Sequence, residues 1–173
     1  MQIDAVSVPG GGLIGMSLCP GMRSRNFYSL ADPDGLHADL RAFTHWGAEA
    51  LVTLMELDEL GSYGIGNLPE LAVRAGLRHI HLPIPDMDVP DTGFEQAWIE
   101  AGAELRGTLT SGGRIVLHCL AGLGRTGTIA SRLLIELGME PESAIRAVRA
   151  ARPGTIQTIA QESYVRRCVK NRG

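Results

Sequence analysis

Arg114-Ile115-Val116-Leu117-His118-Cys119-Leu120-Ala121-Gly122-Leu123-Gly124-Arg125-Thr126 is the stretch on which the reading of this 173-residue chain turns. Arg114 to His118 holds an apolar run, the pattern of a strand buried on both faces. From Arg125 to Leu137 apolar residues recur at helical spacing, and Gly138 stops the pattern. A cysteine at the strand's carboxyl end and a short loop with two glycines lie between them. Strand, tight loop and helix in that order predict an α/β layer, and in such sheets ligands gather at the carboxyl ends of strands.

Upstream, strands and helices alternate. Residues 3–8 and 13–18 read as short strands around the turn Pro9-Gly10-Gly11-Gly12. Asp34 to Gly47 predicts a helix with Leu36, Leu40 and Phe43 on one face. Ala50-Leu51-Val52-Thr53-Leu54 predicts another fully buried strand. A short helix is expected from Asn67, at its N-cap position, to Ala75, with Gly76 just past it. His79 to Pro83 is the next strand and Thr92 to Thr110 a long helix. Downstream the pattern is helical: Pro141 to Ala151, closed by Arg152-Pro153-Gly154, then Gln157 to Val169. The expected architecture is α/β, a mostly parallel central sheet flanked by helices with a helical C-terminal third. Residues 1–173 form one domain, in keeping with the roughly 150 residues typical of one.

Composition narrows the partners. Hydrophobic residues make up 45% and charged residues 20%, which excludes a disordered or fibrous chain. Sixteen Lys+Arg against 19 Asp+Glu give −3, so nothing general draws nucleic acid or an anionic membrane, and any anion must be held by a local site. Aromatic residues are only 5%, too few for base-stacking platforms. Three cysteines, Cys19, Cys119 and Cys168, do not form a disulfide framework, and Met1-Gln2-Ile3-Asp4 lacks a secretory leader's basic start and apolar run. A cytoplasmic, monomeric protein is expected.

The loop carries the chemistry. Successive backbone N–H groups in a tight turn, backed by a helix N-terminus, form a cradle for a dianion such as phosphate or sulfate. Leu120, Ala121, Gly122, Leu123 and Gly124 would supply that cradle. Arg125, six residues after Cys119, would grip two anion oxygens bidentately. The same positive field favours Cys119 as a thiolate, a nucleophile in line with a bound phosphorus. Spacing alone does not decide this, because Cys19 and Arg25 repeat it. There Pro20 removes an N–H from the would-be cradle, and Pro33 leaves no room for a useful helix after Arg25.

His-Cys-x5-Arg-Thr resembles the signature loop of the cysteine-dependent protein tyrosine and dual-specificity phosphatases. The likeness extends to Gly15-Met16-Ser17-Leu18-Cys19-Pro20-Gly21, Leu82-Pro83-Ile84-Pro85-Asp86 and Ile156-Gln157-Thr158-Ile159-Ala160-Gln161, which are similar to the kinase-associated phosphatase (cyclin-dependent kinase inhibitor 3-like) branch. The resemblance implies a protein tyrosine phosphatase-like fold and hydrolysis of phosphate monoesters through a phosphocysteine, with no metal or cofactor. It assigns Cys119 as nucleophile and Arg125 as phosphate ligand. Thr126 would supply a hydroxyl that steadies the departing thiolate, His118 would hold the loop, and Gln157 would position the hydrolytic water, with Gln161 one turn on. Breaking an ester at neutral pH also needs an acid for the leaving oxygen. Asp86, Asp88 and Asp91 all follow the strand ending near Pro83; order after Pro-Ile-Pro matches Asp86 to the family acid, and Asp88 and Asp91 stand as alternatives.

Other motifs compete. Gly10-x-Gly12-x-x-Gly15 and Gly122-x-Gly124-x-x-Gly127 both satisfy a dinucleotide-binding pattern, but neither lies in a strand–helix–strand unit ending in an acid. Asp86-Met87-Asp88 resembles the nucleophile of Mg²⁺-dependent phosphatases, and His79-x-His81 has a zinc-compatible spacing. Arg146, Arg149 and Arg152 on one helix face, and Arg166, Arg167, Lys170 and Arg172 at the end, read as solvated charges or as a contact for an acidic partner. The expected substrate is a phosphorylated protein or peptide. The alternatives are a module that captures phosphorylated partners without turnover, and a phosphatase of phosphoinositides or small esters.

Overall fold

The computed structural model describes residues 1–23 and 30–169; Arg25, Lys170 and Arg172 lie outside them. A five-stranded sheet runs in the order β1-β2-β5-β3-β4. Strands β1 (Asp4–Ser7) and β2 (Leu13–Ser17) form an antiparallel hairpin. Its turn uses Gly10 and Gly11 at φ of 101° and 93°, the left-handed backbone that glycine reaches without strain. The other pairings are parallel: β5 (Arg114–His118) lies between β2 and β3 (Ala50–Thr53), and β4 (Arg78–His81) pairs with β3. β5 is thus central, and Ile115 to His118 are buried, as the unbroken apolar run requires.

Helices complete the α/β layers: α1 (Pro33–His45), α2 (Leu57–Ser62), α3 (Leu68–Arg74), α4 (Thr92–Thr110), α5 (Gly124–Glu136), α6 (Pro141–Ala151) and α7 (Ile159–Arg167). α5 packs against β2, β5, α6 and α7, and nearly its whole circumference is buried. That burial needs small residues on the approach side: a Cβ on Gly127 would lie 2.6 Å from Thr155 Cβ. Farther along, Arg132 of α5 pairs with Glu95 of α4 at 2.7 Å and Glu136 at 2.8 Å and lies over Trp98, tying the helical layer together.

One helix start is corrected, one cap position holds and one helix is new. The last helix starts at Ile159, because Ile156 takes a left-handed backbone (φ 59°) and Thr158 is the N-cap, its hydroxyl accepting from Gln161 N. Asn67 holds the N-cap position of α3 as expected, though its side chain makes no capping hydrogen bond. α2, absent from the sequence reading, is a six-residue helix started by a capping box between Glu56 and Glu59. No helix among the described residues is long and apolar enough to cross a membrane.

Candidate active site

The parallel pairing of β5 with β2 and β3 holds His118 at the sheet's centre, and the chain leaves the sheet at Cys119. Cys119 to Leu123 then turn into α5. Gly122 has φ 66°, and a Cβ there would fall 2.0 Å from Ser17 O, so both conformation and space demand glycine. Cys119, Leu120, Ala121, Gly124 and Arg125 line one cavity of about 120 Å³ together with Asp86, Met87, Gln157 and Gln161. Residues far apart in sequence thereby meet at the carboxyl end of the central strand.

The loop's carbonyls face away from this cavity. His118 Nδ1 lies 3.3 Å from Cys119 O, and Cys19 N–H donates to Leu120 O at 3.1 Å. Arg152 Nη2 donates to Ala121 O at 3.0 Å and its Nε to Gly122 O at 2.6 Å. In a planar trans peptide the N–H points opposite to the C=O. The N–H groups of Leu120, Ala121, Gly122 and Leu123 therefore face the other way, and among the described residues none donates to a protein acceptor. Unpaired buried N–H groups are rare in proteins, and four in succession are the donor set an anion cradle requires.

Arg125 is held rigidly. Its guanidinium meets Glu59 of α2 in two bonds, Nη1 to Oε2 at 2.6 Å and Nη2 to Oε1 at 3.0 Å, and Nη1 also donates to Ile84 O at 3.0 Å. Nη2 lies 2.9 Å from Asp86 Oδ1. A buried cation with fork-to-fork geometry keeps both charge and orientation. Glu59 escaped the sequence reading because α2 did; Glu56-x-x-Glu59, a carboxylate pair at capping-box spacing, is the signal that marks it.

The three candidate acids separate. Asp86 lines the cavity with a largely exposed carboxylate beside Arg125. Asp88 accepts from Val89 N, and its carbonyl accepts from Gln161 Nε2 at 3.1 Å. Asp91 is the N-cap of α4, accepting from Phe94 N at 2.8 Å. Gln157 lines the cavity with an amide free of hydrogen bonds among the described residues. Gln161 is engaged: its Oε1 accepts from Gln157 N and Thr158 N while its Nε2 anchors the Asp88 segment. Among the described residues, Met87 and Ile156 are the non-glycine residues with positive φ, at 62° and 59°, and they adjoin Asp86 and Gln157. Such strain persists where surrounding structure enforces it, commonly at functional sites. Thr126 is fully buried, and its hydroxyl has no partner among the described residues.

Behind the loop runs a chain of neutral histidines. Burial pushes His118 down to about 3 and His79 down to about 4, the nearby His81 adding to the latter. His118 Nδ1–H therefore donates to Cys119 O, its bare Nε2 accepts from Thr53 Oγ1 (2.8 Å), and Thr53 accepts from His79 Nε2–H at 2.9 Å. His81 Nε2 bonds Met55 O at 2.8 Å, so both rings of His79-x-His81 serve this scaffold. With both pKa values below the ordinary 6.5, the unfolded chain binds the extra protons. The stabilisation is complete above the unfolded value and is lost as pH falls toward 4 and then 3. The melting midpoint is accordingly expected to drop steadily from pH 7 to pH 4 and less steeply in His79→Gln; equal slopes would contradict a neutral, half-buried His79.

The competing motifs resolve physically. Burial, followed by the charges of Cys119 and Glu59, holds the Cys19 thiol far above its ordinary range, so it stays protonated. Gly12 and Gly15 lie in the β1–β2 hairpin, ahead of no helix. Arg149 and Arg152 are not a free basic face: Arg149 pairs with Glu162 at 2.7 Å, and Arg152 is committed to Asp4 and the loop. Arg166 pairs with Glu142 and Glu162.

The chain is similar to known phosphatases. Residues 31–139 match the family model described as "Polymorphic toxin system, DSP-PTPase phosphatase". Cyclin-dependent kinase inhibitor 3 of Rattus norvegicus is 30% identical over 155 residues, covering 88% of this chain and 69% of that protein. The human protein of the same name is 29% identical with the same coverage. A crystal structure of kinase associated phosphatase, with serine substituted for its catalytic-site cysteine, superposes with a TM-score of 0.82 at 27% identity, over 95% of this chain and 92% of that one. The chain belongs to the dual-specificity and protein tyrosine phosphatase family, with the fold and the phosphatase activity of that family.

Proposed function

We propose that this phosphatase hydrolyses phosphate monoesters on phosphoprotein, without a metal, through a phosphocysteine on Cys119. The observation that carries the reading is the row of four unpartnered N–H groups facing a cavity that Cys119 and Arg125 also line. A phosphate dianion is the group such a cradle fits: the N–H groups take its equatorial oxygens and Arg125 adds a fixed charge. The solved relative's catalytic-site cysteine supports the nucleophilic role of Cys119.

In the first step Cys119 Sγ attacks phosphorus, the ester P–O bond breaks, and Asp86 donates a proton to the departing oxygen. In the second a water positioned by Gln157 gives its proton to Asp86 and attacks the phosphocysteine; the S–P bond breaks, and inorganic phosphate and the thiolate return. The buried Thr126 hydroxyl, lacking another partner, is available to stabilise that thiolate. His118 keeps the loop in register through Cys119 O. An entering dianion competes with Asp86 for Arg125 Nη2, which frees the carboxyl for the leaving group.

The test is turnover of a generic aryl phosphate and of a phosphopeptide panel in EDTA, with matched phosphoinositides and small esters alongside. Metal-independent hydrolysis with preference for phosphopeptides is the expected result. Phosphate binding without turnover would favour a capture module, and activity abolished by EDTA would favour a metal-dependent mechanism.

A further inference from the structure

The loop after Cys119 does not hold its own shape; its outward carbonyls must be bound by something. Two of the four, Ala121 O and Gly122 O, are bound by a single side chain from 30 residues downstream, Arg152. Resting on the phosphatase reading above, we propose that Arg152, clamped by Asp4, is a positioning residue of the reaction: by binding those two carbonyls it turns the N–H groups of Gly122 and Leu123 toward the phosphate.

Each step is local. Arg152 is the C-cap of α6, with an extended backbone (φ −136°, ψ 95°) instead of a helical one. The chain leaves the helix there, and Thr155 Oγ1 closes the following turn on Arg152 O at 3.0 Å. The side chain is thereby sent back across the surface of the loop, where it is almost wholly buried. Its three nitrogens are all committed: Nε to Gly122 O at 2.6 Å, Nη2 to Ala121 O at 3.0 Å, and Nη1 to Asp4 Oδ2 at 2.6 Å. A planar fork held at one prong by a carboxylate from β1 has no rotational freedom left. Because carbonyl and amide of one peptide move together, fixing Ala121 O orients Gly122 N–H, and fixing Gly122 O orients Leu123 N–H. On the other side Gly122 is pressed against Ser17 O, so the loop is gripped between the end of β2 and Arg152.

Arg152 also adds a positive charge directly behind the peptides that face the anion, reinforcing their dipoles. It forms a wall of a larger hollow of about 550 Å³ on the back of the loop, lined also by Asp4, Leu18, Arg23 and Pro153. A purely mechanical brace between α6 and β1 would need only the pair with Asp4; the two carbonyl bonds are what connect Arg152 to the phosphate.

The experiment uses the full chain as Arg152→Met, Arg152→Lys and Asp4→Asn. Each is assayed with an aryl phosphate for kcat and KM, and by calorimetry for binding of tungstate as a phosphate mimic. Arg152→Met is expected to lose about 10² in kcat/KM, the scale on which misaligning a backbone donor acts, with tungstate binding weakened in parallel. Arg152→Lys is not expected to rescue, since one ammonium cannot span two carbonyls and a carboxylate, and it carries the test if the methionine variant fails to fold. Asp4→Asn, which keeps a hydrogen-bond acceptor, is expected to lose less than about 10-fold, the scale of one hydrogen bond weakened and not removed. Folded variants at Arg152 with a lowered melting temperature but unchanged kcat/KM and tungstate affinity would make it a brace alone and overturn the inference. A parent chain that binds tungstate without turnover would sink the proposed reaction but leave the positioning role readable from binding; a parent that binds no oxyanion sinks both.

Discussion

Cys119→Ser is expected to abolish aryl phosphate turnover while tungstate binding stays within a few-fold of the parent or tightens. Serine is nearly isosteric, and the cradle does not depend on sulfur: its N–H groups are aimed by bonds to Cys119 O, Leu120 O, Ala121 O and Gly122 O. What is lost is nucleophilicity, because an alcohol with no adjacent base stays protonated at neutral pH. His118 cannot serve as that base: it is fully buried, and both its ring nitrogens are engaged, with Thr53 and Cys119 O. Persistent turnover in the serine variant would mean a different nucleophile. Loss of both turnover and binding, in a variant with an unchanged circular dichroism spectrum, would mean that the cradle is not the anion site.

Asp86→Asn is expected to slow hydrolysis of an ester with a poor leaving group by roughly 10²–10⁴-fold, the usual scale for a lost general acid. The loss should shrink for an activated phenol, whose oxygen departs unprotonated. Because Asp86 Oδ1 lies 2.9 Å from Arg125 Nη2, removing its charge also removes a competitor for the guanidinium. Tungstate should therefore bind the variant at least as tightly, so that kcat falls while ground-state affinity does not. Asp88→Asn should leave kcat within a few-fold, since that carboxylate serves Val89 N. Asp91→Ala should instead cost about 1 kcal/mol of stability through the lost α4 cap. A large kcat loss in Asp88→Asn with little in Asp86→Asn would reassign the acid.

The arrangement around Arg125 explains why one loop aspartate differs from its neighbours. Glu59 holds the guanidinium from the α2 side by a two-bond fork, which leaves Nη2 facing the cavity mouth where Asp86 sits. Gln161 holds the far end of the same loop through Asp88 O. This segment is thus pinned at its base while its tip, with Asp86 and the exposed Met87, stays at the rim.

The α/β layering, the central strand and the tight turn that joins it to a helix were legible because each rests on a local pattern. Arg114–His118 reads as a buried strand in any context, Gly122 and Gly124 mark a tight turn, and the helix from α5 onward repeats at its own period. Thr92–Thr110 and Pro141–Ala151 likewise carry their own start and stop signals. The short α2 was not legible, since six residues hold too little periodicity to stand out, and with it went Glu59. Helical spacing puts Arg152 with two like charges on one face, whereas a break in the helix at that residue sends its side chain into the loop. The linear chain by itself determined which residues are capable of the chemistry: a cysteine, an arginine and a glycine-bearing turn between strand and helix. Tertiary structure alone decided which carboxylate faces them and which distant side chains hold the amides in place, because those depend on chain segments 30 to 148 residues apart meeting in space.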